Sequence, residues 1–564
     1  MRRRIEELLT VSTADGTVIE NMQQRIERVT EDLKCINIFY NISFSPERVS
    51  RLQEYYNEQL NDLSKEDFDT FTQEDKIDYL LLQNHLQRNI RQLDLDAQRD
   101  KKIQPLLPFA PTIINLCQER QEMKQVNGQK AARDLDDATR LISEIQQRIE
   151  TRKITIDEPS ALRAVTVTDQ LRDHLQEWFD FFNAYDPLFA WWVSKPYGKI
   201  AKALEDLTPL IREKLVGIAL GDEEDAIIGE PIGREGLLSD LEAEMIPYSP
   251  EELMSIGESE YAWCEAEMIK ASTELGYGRN WHQALEFVKT LHVEPGQQTH
   301  LVHDLALEAI EYVTKKHDLV TVPPLAAETW RMVMMPPAQQ KQTPFFLGGE
   351  KIMVSYPTAD MSHKSKLMSM RGNNIHFSRA TVFHELIPGH HLQMYMNARH
   401  RTYRQLFFTP FCIEGGALYW EMILWDKKFP VTPENKIGML FWRMHRCVRI
   451  IFSLNFHLGL MSARECVDQL VERVGHEQAT AEGEVRRSFG GDYTPLYQAG
   501  YMLGALQIYA LRKEIVDAGM MMPEKEFHDR ILKENHMPIE LLRALFKDLR
   551  VERNFRAEWR FYER

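Results

Sequence analysis

Leu52-Gln53-Glu54-Tyr55-Tyr56-Asn57-Glu58-Gln59-Leu60-Asn61-Asp62-Leu63 sets its bulky apolar residues at 52, 55, 56, 60 and 63. That three- and four-residue spacing gathers side chains on one face of an α-helix. The period runs through residues 48–100 and returns in 130–190, 249–318 and 433–475. The expected fold is therefore mainly α, with the leucine and aromatic stripes as helix core. No internal repeat or low-complexity linker separates these segments, so residues 1–564 are expected to form one continuous unit, with a helical N-terminal lobe over 1–245 and a motif-bearing catalytic half over 246–564. One stretch differs. From about 328 to 357 the chain is strand-like, in Trp330-Arg331-Met332-Val333-Met334-Met335 and Lys351-Ile352-Met353-Val354-Ser355-Tyr356. A short sheet there is either an edge that binds an extended peptide or a purely structural hairpin.

Composition bounds the function. The 564 residues are 43% hydrophobic with a net charge of −17, ample for a large core and the wrong sign for gripping a nucleic-acid backbone. The six cysteines are scattered and form no C-x-x-C pair, which reads as free thiols in a reducing compartment. Met1-Arg2-Arg3-Arg4-Ile5-Glu6-Glu7 is basic but leads into no apolar segment, and no uncharged apolar run is long enough to span a membrane. A cytoplasmic protein with neither membrane nor nucleic-acid partners is expected; its oligomeric state is open.

The chemistry concentrates in His384-Glu385-Leu386-Ile387-Pro388-Gly389-His390-His391, a zinc-hydrolase H-E-x-x-H whose second histidine is replaced by Pro388 and followed by two more histidines. Zinc–nitrogen bonds of roughly 2.0–2.1 Å require two ligand imidazoles to close to a little over 3 Å. A regular helix would put His390 about 9 Å and His391 about 10.5 Å along the axis from His384, although His391 returns to within about 20° of the same face. No regular helix makes this site. Pro388 removes a donor and clashes with the preceding turn, and Gly389 tolerates unusual torsions, so a widened turn or π-type bulge is expected to bring a histidine back. His390 is favoured, with His391 the alternative ligand or else a neighbour of the ligands or substrate. The competing reading is a helix start at Pro388 with histidines that only cap or pack.

An open zinc site needs a third protein ligand. Glu414, in Cys412-Ile413-Glu414-Gly415-Gly416-Ala417-Leu418-Tyr419-Trp420-Glu421, follows His384 by 30 positions, room for a helix end, a turn and a second helix. Gly415 and Gly416 permit close backbone approach. Glu421, two turns along the same face, is placed to orient a ligand histidine, or is simply a solvated acid.

These residues resemble a large family known as domain of unknown function 885, in His384-Glu385-x-x-Pro388-Gly389-His390-His391-Leu392-Gln393 and Glu414-Gly415-x-Ala417-Leu418-Tyr419-x-Glu421. The likeness extends from Tyr248-Ser249-Pro250 to Arg512. More distantly, the layout is similar to thimet oligopeptidase-like zinc metallopeptidases. That resemblance implies a two-lobed helical body with a deep cleft, and a late tyrosine motif, here Tyr497-Gln498-Ala499-Gly500-Tyr501, whose phenols stabilise an oxyanion or hold substrate. It also implies an Arg-…-Asp-…-His pattern. Arg449 and His457 stand as candidate substrate-binding residues, but Ser453 replaces the acid. The family's Gly-Trp after the third-ligand glutamate is Gly415-Gly416, which implies a wider pocket.

The expected function is a zinc-dependent peptidase acting on short peptides. Zinc sits on His384, His390 or His391, and Glu414; Glu385 is the general base; Tyr497 and Tyr501 face the oxyanion. The same chemistry would serve a metal-dependent amidohydrolase acting on a small amide or conjugated amino acid. A non-enzymatic binding descendant is the third reading, against which the retained Glu385 argues.

Overall fold

The structure is a computed structural model and describes residues 20–562 except 219–225, 341, 342, 344, 492 and 519–521. Its chain gathers into two compact units, one of Met1–Glu66 with Leu86–Ala226 and one of Asp67–His85 with Ile227–Arg564. Nearly all regular structure is helical, as the apolar period predicts.

The first unit is built from amphipathic helices. In α1 (Pro46–Ser64) the buried face carries Leu52, Tyr55, Tyr56 and Leu63, with Gln59 buried beside a half-buried Leu60. α2 (Gly128–Glu150) starts where Asn127 accepts from the Lys130 N–H and buries Ala131, Leu135, Ala138, Ile142, Ile145 and Ile149 along one stripe. This stripe packs on α4 (Pro187–Ile211), which in turn meets α3 (Glu158–Asn183).

The second unit is organised around helices that are apolar nearly all round, the pattern of a fully buried helix. These follow α5 (Pro250–Glu274) and α6 (Gln298–Glu311) in the chain. Next come β1 (Arg331–Met334) and β2 (Lys351–Val354). The two strands are parallel, with Arg331 opposite Lys351 and Met334 opposite Val354. A hairpin is thereby ruled out, because parallel strands need a crossover, and here one passes through a helical turn at Pro337–Gln340. Leu347 forms an antiparallel bridge to Met353, so part of the other edge of β2 is satisfied by the chain itself. Ile352 and Val354 point into a cluster with Val302 and Leu305 of α6 and with Val382 and Leu386. That burial seats the small sheet against the helix that carries His384.

The helices of the candidate site are α7 (Ile375–Glu385), α8 (His390–Asn397), α9 (Pro410–Asp426), α10 (Pro433–His457), α11 (Gln478–Phe489) and α12 (Tyr497–Arg512). α10 packs against α5, α7 and α12, and α9 lies along α12. Glycine permits that last contact. A Cβ on Gly415 would fall 2.6 Å from the Gly504 backbone, and one on Gly504 would fall 2.1 Å from the Phe411 carbonyl oxygen. Gly416 meets no backbone; its neighbour is the Gln393 side chain. Among the described residues no helix is long and apolar enough to cross a membrane.

Candidate metal centre

The stretched motif is two helices rather than one bulged helix. Asn374 caps α7 by accepting from the His376 and Phe377 N–H groups, each at 3.0 Å. The helix ends at Glu385, Leu386 leaves helical torsions at φ −112°, ψ −103°, and the Ile387–Pro388 bond is cis. Lacking an N–H, Pro388 cannot continue the ladder to His384. Instead the Gly389 N–H reaches back to the Phe383 carbonyl at 3.0 Å, and α8 begins at His390. Any residue larger than glycine at 389 would place its Cβ 1.9 Å from the His384 carbonyl oxygen. The reversal turns His390 onto His384, their rings nearly perpendicular with centroids 4.9 Å apart.

Glu414 completes the group from α9. Its Oε2 lies 3.1 Å from His390 Nε2 and 3.7 Å from His384 Nε2. One donor atom from each of the three buried residues falls within 4.8 Å of the others. Two imidazole nitrogens and a carboxylate oxygen, converging at separations near those that bonds of roughly 2 Å to a common ion would leave, suit zinc with one position open. His391 points elsewhere: Nδ1 is 3.1 Å from the Gly349 carbonyl oxygen and Nε2 is 3.1 Å from that of Ala326. It ties α8 to the end of the crossover just before β2 and to the short helix Pro324–Thr329 that precedes β1.

The neighbours orient these groups. His384 Nδ1 is 2.8 Å from Glu421 Oε1, which leaves Nε2 directed at Glu414. Burial alone would lower the pKa of His384, but its hydrogen bonds to Glu414 and Glu421 hold it up at about 9. Burial alone would raise the Glu414 carboxyl, yet the adjoining His390 and His384 rings hold it well below the usual range. Tyr497 donates its hydroxyl to Glu414 Oε1. Burial and this carboxylate push the Tyr497 phenol well up, so it remains a donor. Because Glu421 fixes the ring that presents Nε2, Glu421→Gln is expected to weaken zinc affinity about 10- to 100-fold, measured by competition with a chromogenic chelator.

A cavity of about 180 Å³ opens beside the group, walled by Glu385, Tyr497, Tyr501, Arg446, Arg449 and Arg487 among others. Gly348 abuts Glu385 so closely that a Cβ there would sit 2.4 Å from Glu385 Oε2. Tyr501 stacks parallel to His384 at 6.2 Å and accepts a hydrogen bond from Arg487 at 3.3 Å. A larger cavity of about 570 Å³, between Trp263, Arg443, Tyr509 and Trp559, contains none of the candidate ligands, so size alone does not select the site.

The two candidate substrate residues of α10 part company. Arg449 lines the cavity and pairs with Glu484 of α11. The carboxylate that meets Arg449 thus comes from another helix, and the buried Ser453 Oγ makes no hydrogen bond. His457 lies outside the cavity wall, its ring packed on Phe456 and Phe489. Three charged wall residues escaped the sequence reading: Arg446, Glu484 and Arg487. Each lies one turn from another charged wall residue (446 and 449, 484 and 487), a pattern visible in the sequence but indistinguishable there from surface helix pairs.

The family model described as "Bacterial protein of unknown function (DUF885)" matches residues 42–545. No curated protein matches the chain. Among solved structures, "a putative lipoprotein of unknown function from Shewanella oneidensis" superposes with a TM-score of 0.68 at 17% identity, covering 93% of this chain and 100% of its own. A second, "the putative lipoprotein from Colwellia psychrerythraea", gives 0.52 at 19% identity, covering 75% and 77%. At these identities the likeness is one of fold.

Proposed function

The chain belongs to the DUF885 family, and from that premise and the site we propose that it is a zinc-dependent hydrolase of peptide bonds in short peptides. The observation that carries this reading is the convergence of His384, His390 and Glu414 on one point beside a cavity walled by Glu385.

Zinc held by His384, His390 and Glu414 would supply a water of lowered pKa and a Lewis acid for the scissile carbonyl. The chain's own residues do the rest. Glu385 takes a proton from the attacking water and passes it to the leaving nitrogen as the C–N bond breaks. Tyr501, stacked beside His384, donates to the oxygen that gains charge. Tyr497, engaged with Glu414, holds that ligand in place and is the lesser oxyanion donor. The cavity lies below the ~300–1,000 Å³ of drug-sized sites, which favours small substrates over folded proteins.

Zinc-loaded protein is expected to cleave members of a library of di- to hexapeptides, read by mass spectrometry, and to lose that activity on chelation. Turnover confined to N-acyl amino acids would instead favour the amidohydrolase reading. Stoichiometric zinc with no turnover of either would favour a binding protein. Six unpaired cysteines, five of them buried, suit a reducing compartment, so a cytoplasmic location is part of this proposal; recovery of the protein with membranes would overturn it.

A further inference from the structure

Arg446, Arg449 and Arg487 crowd one side of the cavity around a single aromatic ring. The guanidinium carbons of Arg446 and Arg449 lie 4.7 and 4.5 Å from the Tyr501 centroid, and Arg487 donates to the Tyr501 hydroxyl. All three arginines are more than nine-tenths buried. Among the described residues Glu484 is the carboxylate between them, pairing with Arg449 and, at 3.5 Å, with Arg487. Arg446 has a long 3.9 Å contact to Glu421, whose same oxygen already serves His384. Arg446 Nε, Arg449 Nε and Nη1, and Arg487 Nε are buried without hydrogen-bond partners.

Three buried cations that share one closely paired carboxylate are costly unless a further anion completes the set. Burial and then the repulsion of Arg449 lower the pKa of Arg446, whereas the carboxylate of Glu484 helps raise those of Arg449 and Arg487. Arg446 is the least compensated of the three. It lines the cavity, and a planar guanidinium there matches the two oxygens of a carboxylate.

We infer that Arg446, with Arg449 and Arg487 behind it, is a subsite for a substrate carboxylate. This rests on the hydrolase reading above and sets its polarity. Glu421 Oε1 lies 3.9 Å from the Arg446 guanidinium and 2.8 Å from His384 Nδ1, so anchor and metal group lie within about 7 Å, roughly two residues of extended chain. A C-terminal carboxylate held there places the cleaved bond close to the C-terminus, and the products are short C-terminal fragments. An acidic side chain offers the same chemistry.

The test compares Ala-Ala-Phe, its C-terminal amide, and the amide of Ala-Ala-Glu. Binding is measured by calorimetry on the Glu385→Gln protein, and kcat/KM on the unmutated protein. The free acid is expected to bind about 10- to 100-fold more tightly than its amide, as charge-assisted hydrogen bonds allow. Adding Arg446→Gln should remove that preference, bringing acid and amide to the same affinity. If Ala-Ala-Glu amide matches the free acid, the subsite holds and the side chain supplies the anion. Equal binding of acid and both amides overturns the inference even if all are cleaved. Carboxylate-dependent binding without any cleavage supports the subsite and removes the hydrolase reading instead. Should Arg446→Gln fail to fold, the comparison of acid and amide on the parent proteins still decides.

Discussion

Replacing Glu385 by Gln is expected to leave zinc bound at one equivalent and to lower peptide turnover by about 10²- to 10⁴-fold. The two halves have separate physical causes. Zinc is retained because the converging donors are His384, His390 and Glu414, and Glu385 is not one of them. Turnover falls because an amide cannot accept the proton that a carboxylate takes from water. Glutamine keeps the shape of the side chain, which matters where Gly348 packs directly against it. Elemental analysis and kcat on the same preparation check both halves. A variant that keeps its zinc and full activity would remove Glu385 from the reaction. One that loses zinc would show that the change reaches the ligands.

The two adjacent histidines should separate just as sharply. His390→Ala is expected to abolish stoichiometric zinc binding, since the ring 3.1 Å from Glu414 is lost and two protein ligands remain. His391→Ala is expected to keep zinc at one equivalent. Its cost falls on stability, because a buried ring bridging the carbonyls of Gly349 and Ala326 disappears, and large-to-small changes in such places cost about 2–5 kcal/mol. Zinc content after dialysis and the midpoint of denaturant unfolding measure the two outcomes. Zinc loss on His391→Ala with retention on His390→Ala would reverse the assignment.

Much of the helical body was legible because the cues are local. The apolar period of α1 acts within a turn or two of its own positions. The two strands were visible from their β-branched and methionine-rich runs, but their parallel pairing was not. Direction depends on the path of the intervening chain and on burial of Ile352 and Val354 against α6.

The candidate site divides in the same way. His384 and Glu385 could be singled out as the intact start of an H-E-x-x-H motif, Glu414 by its distance beyond it, and Glu421 as lying two turns along the face of Glu414. A helix break between His384 and His390 was also foreseeable from Pro388 and Gly389. The form of that break was not: a bulged single helix was expected, and two helices joined through Leu386–Gly389 are observed. Arg449 was legible as a cavity residue, whereas the packing of His457 on Phe489 and the supply of an acid by Glu484 were not. Those contacts join α10 to α11, and no local rule pairs residues on separate helices.

By itself, then, the sequence determined a helical chain, a broken histidine motif and the chemical types able to hold a metal. Tertiary structure alone decided which histidine turns inward, which acid meets Arg449 and how the arginines gather around Tyr501. The reason is geometric. Helical period is set by backbone hydrogen bonds a few residues apart, while side chains from different helices meet only where backbones close in, as at Gly415 and Gly504, or turn back, as at Gly389.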